Sequence, residues 1–494
     1  MTWKGKRMEE ENKITGRVIA GSLLWKLLER FFSQGVNLVV QIVLARLLLP
    51  EDFSSLAIIA AITNFASVFV QTGLATALVQ KEDVDEQDVN TLFTASICIA
   101  GILYVILFLL SPWIASYYRL PELKWAVRAL ALILFLNAVN AVQSAQYSRS
   151  MQFKKLFLRS AIAVPLSGAL GIILAVRGFG VWALIAQSLS NMLLVVIFMS
   201  IDNPHRLRFG FSPARARRLY SFSVKILLSG LVSQGTDTLR TMIIGRRFSK
   251  NDLAYYDKAY TYSYYAVNLV NSSVTSVLLP VFSRKQNEPD ALLSMSRRSV
   301  SLTAFVIFPA LLGLAAVSEP LILLLLTEKW RGSIPFLMVF CVLRLPGFIV
   351  SVDKQVLFAL GRSEIGLNYE ITVCALNLIL LLFTARISPM AIALGATAVE
   401  FIGAGLMLLI ARRVYGYSLS SRAADLGRPL LHSLVMSSVV YCLRTVSPSR
   451  LVTLTVQVAA GAALYLMLAA VTRDPNLKLA AAAVKRALPS GRRA

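Results

Sequence analysis

Runs of about twenty apolar residues recur from one end of this chain to the other, and each is long enough to cross a hydrocarbon layer about 30 Å thick. Lipid offers no hydrogen-bonding partner to a peptide group, so each run must satisfy its own backbone as a helix. Charged residues make up only 15% of the 494 positions and apolar ones 56%, whereas a soluble chain carries roughly a quarter charged. The expected fold class is an all-α polytopic membrane protein. The runs predict spans at 18–44, 53–75, 93–115, 125–147, 157–176, 180–200, 222–245, 256–282, 299–325, 333–358, 366–385, 389–411, 429–446 and 451–472, about fourteen transmembrane helices. Nothing outside them is long enough to build a soluble domain.

The short polar stretches divide this series. Residues 1–17 read as a tail with no resemblance to a cleavable signal peptide. The first six spans occupy 18–200, a basic linker 201–221, six more spans 222–411, two further spans 429–472, and a basic tail 473–494. Cys98, Cys341, Cys374 and Cys442 all fall inside apolar runs and read as small buried hydrophobes, with no disulfide framework and no paired-cysteine metal site. With only His205 and His432 besides, no metal or other cofactor is expected.

The formal charge of +24 invites a nucleic-acid reading, but its placement argues against one. With the N-terminus inside, the cytoplasmic segments hold roughly 30 Lys and Arg against roughly 14 outside, which is the positive-inside signature. Arg206, Arg208, Arg215, Arg217 and Arg218, then Arg284, Lys285, Arg297 and Arg298, then Arg412 and Arg413 all fall on that side, as does the tail. Both termini are expected in the cytoplasm, with membrane lipid headgroups as partners and no nucleic acid.

The chain also repeats itself. Ser33-Gln34-Gly35 returns as Ser233-Gln234-Gly235, while Asn37, Gln41, Ala45-Arg46 and Asp52 fall on Asp237, Thr241, Gly245-Arg246 and Asp252. Six spans separate the copies, and an even number starts both halves from the same face. The repeat is therefore parallel, giving two six-helix lobes plus two C-terminal helices.

Each copy sits in a helix that lipid alone would reject. In the first span Lys26, Arg30, Ser33, Asn37 and Gln41 recur every three or four residues, one face of a helix, with Glu29 and Gln34 beside them. The seventh span carries Lys225, Ser229, Ser233, Thr236 and Arg240, with Asp237 alongside. A Lys or Arg at the bilayer centre costs about 2.5–3.5 kcal/mol even on lenient scales. Three readings compete: Lys26 and Lys225 snorkelling to headgroups, Glu29 paired with Lys26 or Arg30, and a water-filled cavity between lobes. The depth of Asn37 and Gln41 favours the cavity, with Arg240 the best single candidate to line it; lying about four-fifths along its span, Arg240 has an interfacial role as its alternative. Gly35 and Gly235 are candidate helix bends. Glu29, Asp237 and the mid-span Glu400 are candidates for ion coupling, with a protonated, hydrogen-bonded acid as the alternative for Glu400. Asp353-Lys354 reads as an interfacial pair, and Arg344 and Glu370 are further charges within spans.

The stretch Leu44-Ala45-Arg46-Leu47-Leu48-Leu49-Pro50-Glu51-Asp52-Phe53 resembles the turn after the first span of the Wzx-like polysaccharide flippases. These are a branch of the multidrug/oligosaccharidyl-lipid/polysaccharide exporter superfamily, and the resemblance is to the colanic-acid-exporter type. Gln71-Thr72-Gly73-Leu74, Gln80-Lys81, Asn90-Thr91, Phe153-Lys154-Lys155-Leu156 and Gly178-Phe179-Gly180-Val181-Trp182-Ala183-Leu184 resemble later landmarks, so the likeness spans the chain. Ser54 stands where the family usually has glycine.

The resemblance implies a fold like that of the drug and toxin exporters of this superfamily, alternating between inward- and outward-open. It implies export of undecaprenyl-diphosphate-linked oligosaccharide across the bacterial cytoplasmic membrane for lipopolysaccharide or exopolysaccharide biosynthesis. Polymerase and chain-length machinery are then candidate partners. Lys26, Arg30, Lys225 and Arg240 would meet diphosphate or acidic sugars, and Ser33, Asn37, Gln41 and Ser233 the hydroxyls. Three alternatives stand beside it. A drug or metabolite exporter of cations would want acids to dominate the first span, which presents two bases to one acid. A membrane-embedded polymerase or ligase would want large outside loops, and these are short. A scramblase would be told apart by transport that ignores potential and ions.

Overall fold

A computed structural model describes residues 25, 28, 29, 31–71, 85–149, 152–201 and 207–479, and among these there are helices and turns but no strand. The chain divides into two compact units, Met1–Asn251 and Asp252–Ala494.

The first unit holds α1 (Phe31–Leu47), α2 (Pro50–Gln71), α3 (Glu86–Tyr118), α4 (Leu123–Ala131), α5 (Ile133–Arg149), α6 (Phe153–Val176), α7 (Val181–Ile201) and α8 (Pro213–Arg247). Local chemistry sets the boundaries. Pro50 opens α2 with Glu51 and Asp52 in its first turn, where the free N–H groups and helix dipole favour acids. A reciprocal capping box starts α3: Asp85 accepts the Asp88 N–H at 2.8 Å and Asp88 accepts the Asp85 N–H at 3.3 Å. α3 ends at Arg119, which is left-handed at φ 57°. α2 packs against α4, α5, α7 and α8, and α6 lies along α7. The segment before α8 runs beside α3, with the Arg208 N–H donating to Asn90 Oδ1 at 3.0 Å and the Gly210 N–H to Thr94 Oγ1 at 3.0 Å.

The second unit holds α9 (Lys250–Ser283, its first two residues in the first unit), α10 (Pro289–Ala316), α11 (Ser318–Leu325), α12 (Ser333–Leu343), α13 (Gly347–Ala359), α14 (Ser363–Thr384), α15 (Pro389–Tyr415), α16 (Leu419–Cys442) and α17 (Arg450–Val471). The most extensive pairing is α10 with α16, and α17 closes on both. There Tyr465 packs on Phe305, Met436 and Val440, and its hydroxyl donates to the Phe305 carbonyl at 2.8 Å. A buried tyrosine needs that partner.

Among the described residues, eleven helices are long and apolar enough to cross a membrane. Side chains such as Leu109, Trp113, Leu382 and Val471 lie more than half exposed on them, as lipid-facing residues do. The chain is a multi-pass membrane protein. The other three expected spans correspond to α1, described over 17 residues, and to α8 and α9, which run 35 and 34 residues but carry too many polar groups to qualify by composition. The seventh expected span, α8, packs in the first unit, on α2 and α3. The cysteine expectation needs correction: Cys341 is buried, but Cys98 and Cys442 are exposed and Cys374 is half-buried.

Candidate functional site

The repeat has a structural counterpart at the end of its lead helices. α1 stops at Leu47 and α2 starts at Pro50; α8 stops at Arg247 and α9 starts at Lys250. The same two-residue break thus follows both Ser-Gln-Gly copies. At the first break Asp52 accepts the Leu49 N–H at 3.0 Å. Its other carboxylate oxygen reaches the loop before α7, where Gly180 takes φ 53° and a Cβ would lie 2.9 Å from Asp52 Oδ1. Glycine meets both the conformation and the approach. Two motifs more than a hundred residues apart therefore form one joint.

On α1, Ser33, Asn37 and Gln41 are half-buried. Glu29 accepts from Ser33 Oγ and from Ser160 Oγ of α6, each at 3.5 Å. Trp25 and Phe32 both pack on Phe157 of α6, with centroids 5.5 and 5.8 Å away. Further along, a Cβ on Gly168 of α6 would meet Val40 Cγ2 at 2.4 Å, so α1 lies tight on α6. Lys26 and Arg30 lie outside the described residues. Gly35 faces open space within an unbroken helix.

On α8, Ser233 is exposed and the side chain of Lys225 lies outside the described residues. Arg240 is 8% exposed, and its Nη1 donates to Asp237 Oδ1 at 2.9 Å. The helix rests on α2, with Gly235 beside Phe65 and Thr238 Oγ1 donating to the Ala61 carbonyl at 3.2 Å. A guanidinium at this depth stays charged because it has no accessible neutral form.

The second unit carries its own polar groups. Glu400 of α15 is half-buried and an electrostatic neighbour of Tyr369 on α14. The adjacent Asp353-Lys354 is not an interfacial pair, for each residue has another partner. Lys354 Nζ lies 2.8 Å from Glu370, while Arg422 Nη2 reaches both oxygens of Asp353 at 3.1 and 3.0 Å. The Tyr415 hydroxyl donates to the same carboxylate at 2.6 Å. Successive residues of a helix point about 100° apart, so neighbours in sequence meet different helices. Arg344 stacks over Tyr260 and Tyr264 and donates to Ser263 Oγ at 3.2 Å.

Besides Arg422, two buried cations were absent from the candidates read from the sequence. Arg159 of α6 is 8% exposed with its guanidinium over the Tyr147 ring at 4.5 Å; Lys258 of α9 is 4% exposed with Nζ 5.9 Å from the Trp330 ring centroid. The charges of Asp257-Lys258 inside a predicted span were the available signal for the second. Among the described residues no group of three or more His, Cys, Asp or Glu side chains is placed to hold a metal.

Three comparisons bear on this arrangement. The succinoglycan biosynthesis transport protein ExoT of Rhizobium meliloti is 26% identical over 66% of this chain and 66% of its own, just short of two thirds of that relative. The teichuronic acid biosynthesis protein TuaB of Bacillus subtilis is 26% identical over 82% of this chain and 86% of its own. The lipopolysaccharide biosynthesis protein WzxC of Escherichia coli is 23% identical over 70% and 71%. In fold, the chain is similar to the lipid II flippase MurJ in an inward closed conformation, with a TM-score of 0.76, 16% identity, and coverage of 91% of this chain and 98% of that one. A multidrug resistance transporter of the MATE family and the MOP superfamily, in an inward-facing conformation, follows at 0.59, 16% identity, with coverage of 80% and 94%. The family described as "Polysaccharide biosynthesis protein" matches residues 43–335, more than half of the chain, so this protein belongs to that family.

Proposed function

We propose that the chain is a flippase carrying a prenyl-diphosphate-linked oligosaccharide from the inner to the outer leaflet of the bacterial cytoplasmic membrane, for polysaccharide biosynthesis. The observation that supports this most is Arg240, a permanently charged group buried on α8, the lead helix of the second repeat copy, and held by Asp237. A charge of this kind costs up to about 2.5–3.5 kcal/mol at the centre of a span, so burying one calls for a partner that repays it. An arginine fork suits a diphosphate, because two parallel N–H donors meet two oxygens. A relative named for transport in succinoglycan biosynthesis and one named for lipopolysaccharide biosynthesis point the same way.

In this reading Lys26, Arg30, Lys225 and Arg240 meet the diphosphate or acidic sugars, and Ser33, Asn37, Gln41 and Ser233 solvate sugar hydroxyls. Gly35 and Gly235 let the lead helices of lobes 18–200 and 222–411 bend, with 429–472 as an appended pair. Both termini lie in the cytoplasm, by the charge asymmetry. The protein makes and breaks no covalent bond; a polymerase acts on its product outside. An anion moving outward runs with the inside-negative potential, worth about 2.3 kcal/mol per charge per 100 mV. Glu29, Asp237 and Glu400 are the groups for any coupled ion.

The test is complementation. In cells lacking their own copy, lipid-linked repeat units accumulate on the cytoplasmic face and the wild-type chain clears them. Arg30→Ala and Arg240→Ala do not. Polymer export at wild-type level from both variants overturns the assignment.

A further inference from the structure

The second unit holds a cavity of about 810 Å³ at the start of α10 and the end of α17, outside every residue discussed above as substrate-facing. Its charged lining is Asp290, Arg297, Arg298, Asp425, Arg473 and Lys478. Arg297 is already committed. Its Nε and Nη2 fork onto Asp425 at 2.8 and 3.0 Å, and the Tyr417 hydroxyl donates to the same carboxylate at 2.7 Å. That leaves Arg298, Arg473 and Lys478, all exposed, facing the single acid Asp290; none of the three has an ion-pair partner among the described residues.

The backbone shows that this gathering is built. Arg473 takes φ 51°, a left-handed conformation that closes α17 with the Asp474 N–H bonded to the Ala469 carbonyl at 2.9 Å. Glycine is the residue that adopts this cap without strain, so arginine here gives up conformational free energy. The turn is also stapled in place. Asn476 is 4% exposed and donates to Ser301 Oγ of α10 at 2.9 Å, and Asp474, 3% exposed, accepts the Asn476 N–H at 2.9 Å. On the α16 side, Thr472 Oγ1 lies 3.2 Å from His432 Nε2. A strained arginine thus shares the lining of one cavity with two further cations.

We infer that this cavity binds the phosphate headgroup of an acidic phospholipid. Arg298 and Arg473 supply forked donors for two phosphate oxygens and Lys478 a point charge, and an anion balances their like charges. The apolar surface beside it selects a lipid over a free anion: Met467 and Val471, one turn apart on α17 just before Arg473, are 55% and 76% exposed. Acyl chains lie there while the headgroup enters the cavity.

The full-length protein in neutral detergent is titrated with phosphatidylglycerol or phosphatidylcholine and read by native mass spectrometry. Wild type retains phosphatidylglycerol in preference to phosphatidylcholine, and each removed cation weakens retention about fivefold. Arg473→Gly is the informative variant, because it relieves the backbone: thermal stability holds or rises while phosphatidylglycerol binding falls. Arg298→Gln lowers it further. Equal phosphatidylglycerol retention by the double variant, or equal retention of the two lipids by wild type, overturns the site. Thermal stabilisation by millimolar inorganic phosphate with no preferential lipid retention overturns the lipid assignment in favour of a small soluble anion.

Discussion

Arg240 Nη1 lies 2.9 Å from Asp237 Oδ1 one turn earlier on the same helix, and the pair is lopsided: the arginine side chain is 10% exposed and the aspartate 47%. The cation is the sheltered member and the acid the accessible one. If the arginine serves an anionic substrate, its removal costs more than that of the acid. Arg240→Ala lowers export by about ten- to a hundredfold, the loss of one hydrogen bond to a charged group. Asp237→Asn lowers it less, because the amide still accepts from the guanidinium. Rates of polymer appearance in complemented cells decide between this order and its reverse.

The two glycines nearest the α1 stripe behave oppositely. Gly168 faces Val40 at 2.4 Å from a built Cβ, and a β-branched side chain has little freedom to move. Gly168→Ala therefore destabilises by about 1–3 kcal/mol. Gly35 faces open space, and Gly35→Ala raises helix propensity by about 0.8–1 kcal/mol. Melting curves in detergent check both. Loss of export by Gly35→Ala without loss of stability identifies the bend.

Asp353 and Arg422 are 0% and 2% exposed, so neither charge has water to fall back on. Asp353→Ala leaves the guanidinium uncompensated and costs about 3–5 kcal/mol, while replacing both members with apolar residues of similar volume costs far less. Chemical-denaturation midpoints of the single and paired variants measure the difference.

A second ion pair gives a pH signature. Arg215 holds the Asp85 carboxyl at about 2, first through its side-chain hydrogen bond and then with help from the Asp88 N–H. The folded value lies below the unfolded one of about 4, so the stabilisation is complete above pH 4 and is lost as pH falls through 2. The melting temperature of wild type exceeds that of Arg215→Ala by a constant amount above pH 4, and the gap closes towards pH 2. A gap that does not vary with pH contradicts the pairing.

The helices were legible because membrane-length apolar runs leave the backbone one solution. What each charge touches was not. Asp353 meets Arg422 from a different helix, and Lys354 beside it meets Glu370. Hydropathy also failed to place Cys98 and Cys442, since in lipid the outward face of a helix is as apolar as the inward one. The repeat put α8 at the head of the second half, yet Thr238 and Gly235 seat it on α2, a contact that only the folded chain reveals. The joint between Asp52 and Gly180 was present as two separate motifs, and nothing in their spacing said they meet.

The most direct test is translocation by the purified protein. In proteoliposomes holding a labelled undecaprenyl-diphosphate-linked oligosaccharide, the wild-type chain moves label to the opposite leaflet, faster when the destination side is made positive, and Arg240→Ala slows this at least about tenfold. Equal rates for wild type and Arg240→Ala, whatever the potential, contradict a cation-lined path for an anionic lipid-linked substrate.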